Sequence, residues 1–305
     1  MRRRWRILLL SACGVVAVVA VCFFCLRDDE PSYNGRTLSE WLRISSGYVS
    51  AQQRRTAQDA VLQIGTNAIP SLMQWCSEAS IIRGEQIQKI SNRLPRFIAG
   101  TKPVRSFVYE KTAKAAWANY GFAILGTNAL QCLPELEQRF RATTNSVVIG
   151  VLVDVMQHLG KDAFDFFVDF ARTSTDELQT RLAAHAIGTM AELMRTNGAD
   201  SAVPVLLQIA QNRNDEARVR AITALGQLRL QPEIVVPFIT RQVSITNGRF
   251  FAIWTLQAFG EQARSAIPTL KIVLNDSDRT VRFGATNALN SIAPEVLTNA
   301  ASIKN

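Results

Sequence analysis

Side chains suited to acid–base or metal chemistry are few in this chain. Its two histidines, His158 and His185, both lie in segments predicted to be helical. Neither belongs to a His-Glu-x-x-His motif, a paired-cysteine zinc pattern or a cluster of carboxylates. No glycine-rich phosphate loop joins a predicted strand to a helix. The sequence therefore predicts no catalytic residue, no cofactor and no metal, and both histidines are interpreted as structural helix residues.

The five cysteines fall into two groups. Cys13, Cys22 and Cys25 lie in an apolar stretch near the N-terminus, and Cys22-x-x-Cys25 has redox-motif spacing without the strand–helix–strand context of such a motif. We therefore interpret these three as small membrane residues. Cys76 and Cys132 have the chance to pair if their domain lies outside the cytoplasm, and the sequence leaves open whether they meet.

Five arginines each lie near the start of a predicted helix: Arg181, Arg218, Arg220, Arg279 and Arg282. In a stacked helical array they would fall in a row. One interpretation, which we favour, is a ladder of ion pairs between repeats that also uses Asp215, Asp276 and Asp278. The other interpretation is a basic stripe that binds an acidic partner. Both make these arginines candidate partner-binding or repeat-linking residues.

A basic insertion at about 81–103 supplies the second set of candidate partner-binding residues: Arg83, Lys89, Arg93 and Arg96. Four apolar residues recur there at steps of three and four, namely Ile87, Ile90, Leu94 and Phe97. This pattern is typical of a helix that lies on a membrane surface or docks on a partner. The alternative, which we favour, is an extended repeat helix whose apolar side packs on the array, because Pro95 would interrupt a long free helix.

Internal repetition indicates the elements that position these residues. An apolar-proline-apolar segment recurs around five prolines: Pro70, Pro134, Pro204, Pro237 and Pro268. Asp169 stands where the series predicts a further proline. An alanine-rich helical segment ending at glycine precedes most of them, as in 218–226. Each period of about 34 residues is thus predicted to form a helix, a short turn and a second helix, with Thr66 and Thr127 as N-caps.

These motifs resemble the HEAT-repeat family over roughly 51–297. The similarity is highest in Asp276-Ser-Asp-Arg-Thr-Val281-Arg282 and next in Asn214-Asp-Glu-Ala-Arg-Val219-Arg220. It implies an all-α superhelix of about six helical pairs, with an Asp–Arg ladder between repeats. Tyr33-Asn-Gly-Arg-Thr-Leu-Ser-Glu-Trp-Leu42 is similar to the opening of membrane-anchored or secreted bacterial HEAT-repeat proteins. There Thr37 and Glu40 predict a capping box, and the helix that follows would cover the open end of the array.

A hydrophobic segment precedes the repeats. Residues 7–26 carry no charge and follow four arginines, which predicts a transmembrane helix with its N-terminus in the cytoplasm. Two alternatives remain: lipidation at Cys13 in Leu10-Ser11-Ala12-Cys13, and cleavage after Ala20. Removing residues 1–26 from the net charge of +9 leaves 30 basic and 25 acidic residues, an excess too small to indicate nucleic acid by itself.

The domain prediction is an anchor at 1–26, a linker and capping helix at 27–50, and a solenoid at 51–305. We predict a non-catalytic scaffold at the bacterial inner membrane, with the solenoid outside the cytoplasm and a protein as its partner. No nucleic acid or small-molecule substrate is expected. The alternatives are a HEAT-like enzyme or enzyme subunit, similar to a DNA glycosylase or a bilin lyase, a structural envelope protein, or a lipoprotein or secreted form of the scaffold.

Overall fold

The computed structural model describes residues 30–195, 198–211, 215–245 and 248–297. It begins with a short antiparallel hairpin, β1 (Ser32–Tyr33) and β2 (Arg36–Thr37), joined by Asn34 and Gly35 at positive φ. Helix α1 (Leu38–Ser46) follows, and the capping box predicted at Thr37 and Glu40 is present. The hairpin and α1 are held together because the indole N–H of Trp41 donates to the Tyr33 carbonyl at 3.0 Å.

Six helical pairs come next. Their first helices are α2 (Ala51–Ile64), α6 (Lys102–Leu125), α8 (Ser146–Met156), α10 (Glu177–Thr189), α13 (Asp215–Leu228) and α15 (Arg249–Phe259). Their second helices are α3 (Ile69–Trp75), α7 (Leu133–Ala142), α9 (Lys161–Thr173), α12 (Ala202–Ala210), α14 (Pro232–Gln242) and α16 (Ile267–Val273). Three further helices lie between them, α4 (Glu78–Arg93), α5 (Arg96–Ala99) and α11 (Ala191–Met194), and α17 (Arg279–Ile292) ends the series.

The pairs stack into a solenoid of helices, which confirms the all-α solenoid part of the predicted fold class. First helices of neighbouring pairs pack on one another, and α12 and α14 pack on the first helix that follows each of them. One continuous apolar core runs from Leu38 to Ala293. Across the described ranges, no helix is both long and apolar enough to span a bilayer. The predicted transmembrane segment 7–26, including Cys13, lies outside those ranges.

The prolines occupy the start of most second helices, as predicted. Pro70, Pro134 and Pro268 lie in the first two positions of α3, α7 and α16, where the missing N–H has no helical partner to lose. Pro237 differs, because α14 already starts at Pro232, after Gln231 at a φ of 49°. Pro237 therefore lies inside its second helix and not at the start.

The turns within five of the six pairs contain 3₁₀ helix, and two of these turns correct the predicted N-caps. Gly65 and Gly126 adopt φ of 59° and 54° and begin 3₁₀ turns at Gly65–Ala68 and Gly126–Cys132. Thr66 and Thr127 lie inside those turns and cap neither α3 nor α7. The chain reverses at glycine, one residue before each threonine.

Small residues let the first helices approach one another closely. A Cβ at Gly226 in α13 would lie 2.9 Å from the hydroxyl oxygen of Thr255 in α15. Thr255 is fully buried, and its hydroxyl is satisfied because it donates to the Ile222 carbonyl of α13 at 2.9 Å. Ser291 in α17 donates to the Gln257 carbonyl of α15 at 3.3 Å. Side-chain to main-chain hydrogen bonds therefore join successive first helices.

Candidate protein-binding face

The five predicted arginines do not form one row. Arg181 pairs with Glu216 of the next repeat. Arg218 is buried, with 8% of its surface exposed, so its prediction as a surface partner-binding residue is wrong. Arg282 donates to the carbonyls of Asp276 and Ser277 in the loop that precedes its own helix. Only Arg220 and Arg279 remain exposed at positions where a partner could reach them.

A ladder between repeats exists, but its partners differ from those predicted. Asp276 pairs at 2.8 Å with Arg249, a residue that the sequence did not single out. Asp278 caps α17 by accepting from the Thr280 N–H at 2.8 Å, and this hydrogen bond holds the pKa of its carboxyl below the usual range. The side chain of Asp215 lies outside the described residues. The ion pairs therefore link neighbouring repeats, and among the described residues the five arginines form no continuous basic stripe.

Glycine positions align the first helices and reveal an outward face. A glycine lies at or near the end of each first-helix segment, and positions can be counted back from it. The residue six positions earlier is exposed or half-exposed in every pair: Asp59, Tyr120, Asp154, Leu182, Arg220 and Trp254. One turn later, the residue three positions before the glycine is also accessible: Leu62, Ala123, Gln157, His185, Thr223 and Gln257. We call these twelve residues the first-helix face. Its two columns cross the array because the same helical position recurs in every pair.

His185 belongs to this face and His158 lies beside it, and both interact with Asp154. Nε2 of His158 lies 2.8 Å from Oδ1 of Asn119, and His158 is in a short 3₁₀ turn at Gln157–Leu159. Burial lowers the pKa of both histidines, and Arg220 lowers that of His185 further, while Asp154 opposes both shifts. Burial raises the pKa of Asp154, and the two histidines oppose that shift. No group of three potential metal ligands occurs within the part of the chain that the structure describes.

A groove runs along the C-terminal part of this face. It encloses about 580 Å³ between the ends of α10, α13, α15 and α17. Trp254, which is 39% exposed, and the polar side chains of Gln227, Gln257 and Ser291 line it. Close packing at Gly188 and Gly226 forms its floor, since a Cβ at Gly188 would lie 3.2 Å from that of Ala224. We call this the first-helix groove. It was not predicted from the sequence, although counting back from each glycine would have found Trp254.

The insertion forms a projecting helical hairpin. Helix α4 packs along the N-terminal half of α6, and Gly84 is close enough that a Cβ there would lie 3.3 Å from the Lys111 carbonyl. Arg83, Lys89, Arg93 and Arg96 are all exposed on it. At its base the Lys114 amino group lies 5.3 Å from the centre of the Trp75 ring, and burial lowers the pKa of Lys114 to about 8. We call residues 81–111 the basic hairpin.

The cysteines of the solenoid are structural. Cys76 and Cys132 are free and buried, and their thiols donate to the carbonyls of Met73 and Ala129. Burial raises the pKa of Cys76 to about 12 and that of Cys132 to about 11. Because thiolate is the reactive form, neither residue is suited to nucleophilic or redox chemistry at neutral pH.

No protein-family model matches the sequence, and no curated protein matches it. Among solved structures, the chain is similar to an engineered protein, target OR329, at a TM-score of 0.44 and 15% identity, covering 84% of this chain and 96% of that one. A designed armadillo repeat protein in complex with the peptide (KR)4 is matched at 0.42 and 13%, covering 84% and 99%. With TM-scores below 0.5, the assignment of a solenoid rests on this chain's own helix pairing.

Proposed function

We propose that this protein is a non-catalytic scaffold whose HEAT-type repeats bind an extended segment of a partner protein along the first-helix groove. Residues 7–26 would tether it to the bacterial inner membrane, with the solenoid outside the cytoplasm. The observation that carries the proposal is the convergence of Trp254, Gln227, Gln257 and Ser291 on one groove built by four helices.

Most residues that line the groove are uncharged, and the two charged ones, Glu192 and Arg229, have opposite signs, so the groove suits a peptide main chain. Glutamine and serine side chains both donate and accept hydrogen bonds, as the peptide group does. Trp254 offers a large exposed ring beside them. Packed helices lie about 8–10 Å apart, close to the length of three residues of extended chain at about 3.3 Å each. One partner segment could therefore meet each first helix in turn.

Capture of partners by the tagged full chain, extracted in mild detergent, tests this proposal. Trp254→Ala and Gln257→Ala are each compared with Ile272→Ala, whose side chain is 74% exposed on α16 outside the groove. We expect a discrete protein partner to be lost from both groove variants and retained by Ile272→Ala. A partner that both groove variants retain, or nucleic acid as the sole enriched molecule, would overturn the proposal.

The tether is tested separately with a form that lacks residues 1–26. If these residues anchor the chain, this form leaves the membrane fraction in carbonate washes while keeping the partner. Retention of the shortened form in washed membranes would contradict an anchor at 7–26 without affecting the groove.

A further inference from the structure

The basic hairpin projects beyond the stacked pairs. Helices α2 and α6 both end at a positive-φ glycine, but α2 has 14 residues and α6 has 24. The ten extra residues of α6 add about 15 Å to its length. They pack against α4, so the hairpin is a pair of helices with α5 between them at the outer end.

Charge is concentrated on this projection. Residues 81–111 contain seven basic and two acidic residues, whereas the rest of 27–305 contains 23 of each. The outer part, residues 86–109, has no acidic residue at all. We call it the hairpin tip. Its five cations are all exposed, and in the described ranges none pairs with a carboxylate: Lys89, Arg93, Arg96, Lys102 and Arg105.

Large apolar side chains are exposed between these cations. Phe97 is 78% exposed, Ile90 is 61% exposed, and Ile98 and Phe107 are 38% and 36% exposed. The favoured prediction that the apolar stripe of this insertion packs on the array is therefore wrong for Ile90 and Phe97, which stay exposed although α4 packs on α6 and also contacts α8. A surface that exposes aromatic and aliphatic groups among cations is complementary to an anionic bilayer interface.

We propose that the hairpin tip binds the surface of an anionic phospholipid bilayer, inserting Phe97 and Ile90 below the headgroups while the surrounding cations contact lipid phosphates. A nucleic acid would satisfy the cations but would give the aliphatic side chains of Ile90 and Ile98 no apolar environment. Helix α1 packs on both α2 and α6, so the chain enters the solenoid at the same end from which the hairpin projects. This site is separate from the first-helix groove and requires no protein partner.

Site-specific fluorescence on the full chain tests the proposal. Cys13, Cys22 and Cys25 are replaced by alanine, and the buried Cys76 and Cys132 are kept. One exposed cysteine is introduced by Phe97→Cys or, as a control, by Ile272→Cys, which is similarly exposed on α16. Each carries an environment-sensitive dye. The probe is a vesicle of phosphatidylglycerol and phosphatidylcholine containing lipids with a spin label on the acyl chain, which quench a dye that lies among them.

We expect a blue shift and quenching for the dye at 97 and neither for the dye at 272. The signal should fall in pure phosphatidylcholine and at high salt. Equal quenching at the two positions, equal signals in both lipids, or displacement of the dye from vesicles by an oligonucleotide would each overturn the proposal.

Charge reversal supplies a second readout that leaves the apolar tip intact. Arg93→Glu with Arg96→Glu should weaken vesicle binding by the tip about tenfold or more, since each basic residue near an anionic surface contributes substantially. Lys271→Glu with Arg279→Glu changes the net charge equally on exposed residues at the other end of the array. An equal loss of vesicle binding in both double variants would show an effect of net charge alone and would contradict a binding site at the hairpin tip.

Discussion

The solenoid body and the basic hairpin use the same residue types in opposite ways. In the body, Phe140 is fully buried and meets three other phenylalanine rings edge-on or nearly so at 5.0–5.7 Å. In the hairpin, Phe97 is 78% exposed and makes no ring contact within the described residues. Arginines differ likewise, because those of the body are paired or bonded to carbonyls more often than those of the tip. The body therefore buries its aromatic rings in the core, whereas the hairpin leaves Phe97 in solvent, as the proposed membrane contact requires.

Truncating one phenylalanine in each region gives the largest contrast. Phe140→Ala removes a ring from the core and should lower the free energy of unfolding by about 3–5 kcal/mol. Phe97→Ala should change it by less than about 0.5 kcal/mol, because the side chain is already in solvent. Chemical denaturation of both variants measures this. A loss at Phe97 comparable to that at Phe140 would mean that the hairpin tip is packed.

Close approach of the first helices gives the next largest effect. Gly226→Ala places a methyl group 2.9 Å from the Thr255 hydroxyl oxygen and 3.2 Å from its Cα, which should cost about 1–3 kcal/mol. Gly150→Ala is the matched control, since nothing lies within 4 Å of a Cβ there and α8 should gain about 0.5–1 kcal/mol. The two midpoints in denaturant should move in opposite directions; movement in the same direction would contradict the packing described.

Ion pairs between repeats should contribute less. Asp276→Asn breaks the ion pair between Asp276 and Arg249, whose side chains are 11% and 24% exposed. This should lower the free energy of unfolding by about 1–2 kcal/mol. The hydrogen bond from the Asp278 N–H to the side chain at 276 is kept. Glu295→Gln breaks the pair with Arg264, whose partners are half-exposed, and should leave the midpoint unchanged. Thermal melts of both variants at low and high salt make the comparison. Equal losses of stability would contradict the difference expected between the two ion pairs.

The smallest effect concerns pH and is confined to the body, since the hairpin has no histidine. Burial lowers the folded-state pKa of His158 and His185 below the ordinary value of 6.5. The unfolded chain then binds more protons as pH falls below 6.5, so stability should fall in that direction. His158→Gln with His185→Gln should flatten the melting temperature between pH 6.5 and pH 5.5 relative to the parent. If the double variant kept the same dependence of melting temperature on pH, that dependence would not come from the two histidines.

Local signals in the sequence accounted for the architecture better than for the surface. The glycine and proline spacing predicted helical pairs because backbone geometry at Gly126 or Pro134 depends on few neighbours. Pro237 deviated because an upstream proline and a left-handed Gln231 start α14 earlier. The Asn34-Gly35 hairpin was missed, although this dipeptide is a strong turn signal.

The candidate surfaces depend on which side of each helix a residue faces. The sequence motif alone assigned some residues to the wrong side. The Val-Arg motif placed Arg218 and Arg220 together, yet one is buried and the other exposed because they lie two residues apart on a helix. Trp254 is identified as a groove residue only when its distance from Gly260 is compared with the equivalent distances in the other pairs. Phe97 is exposed because it lies in α5 at the outer end of the hairpin, which the apolar spacing of the insertion did not indicate.

Photo-crosslinking in native membranes tests the division between body and hairpin most directly. A photoreactive amino acid is placed at position 254 in one full-length variant and at position 97 in another, and the crosslinked products are identified. The account predicts protein adducts from position 254 and phospholipid adducts from position 97. Phospholipid from position 254, protein or nucleic acid from position 97, or the same product from both would contradict it.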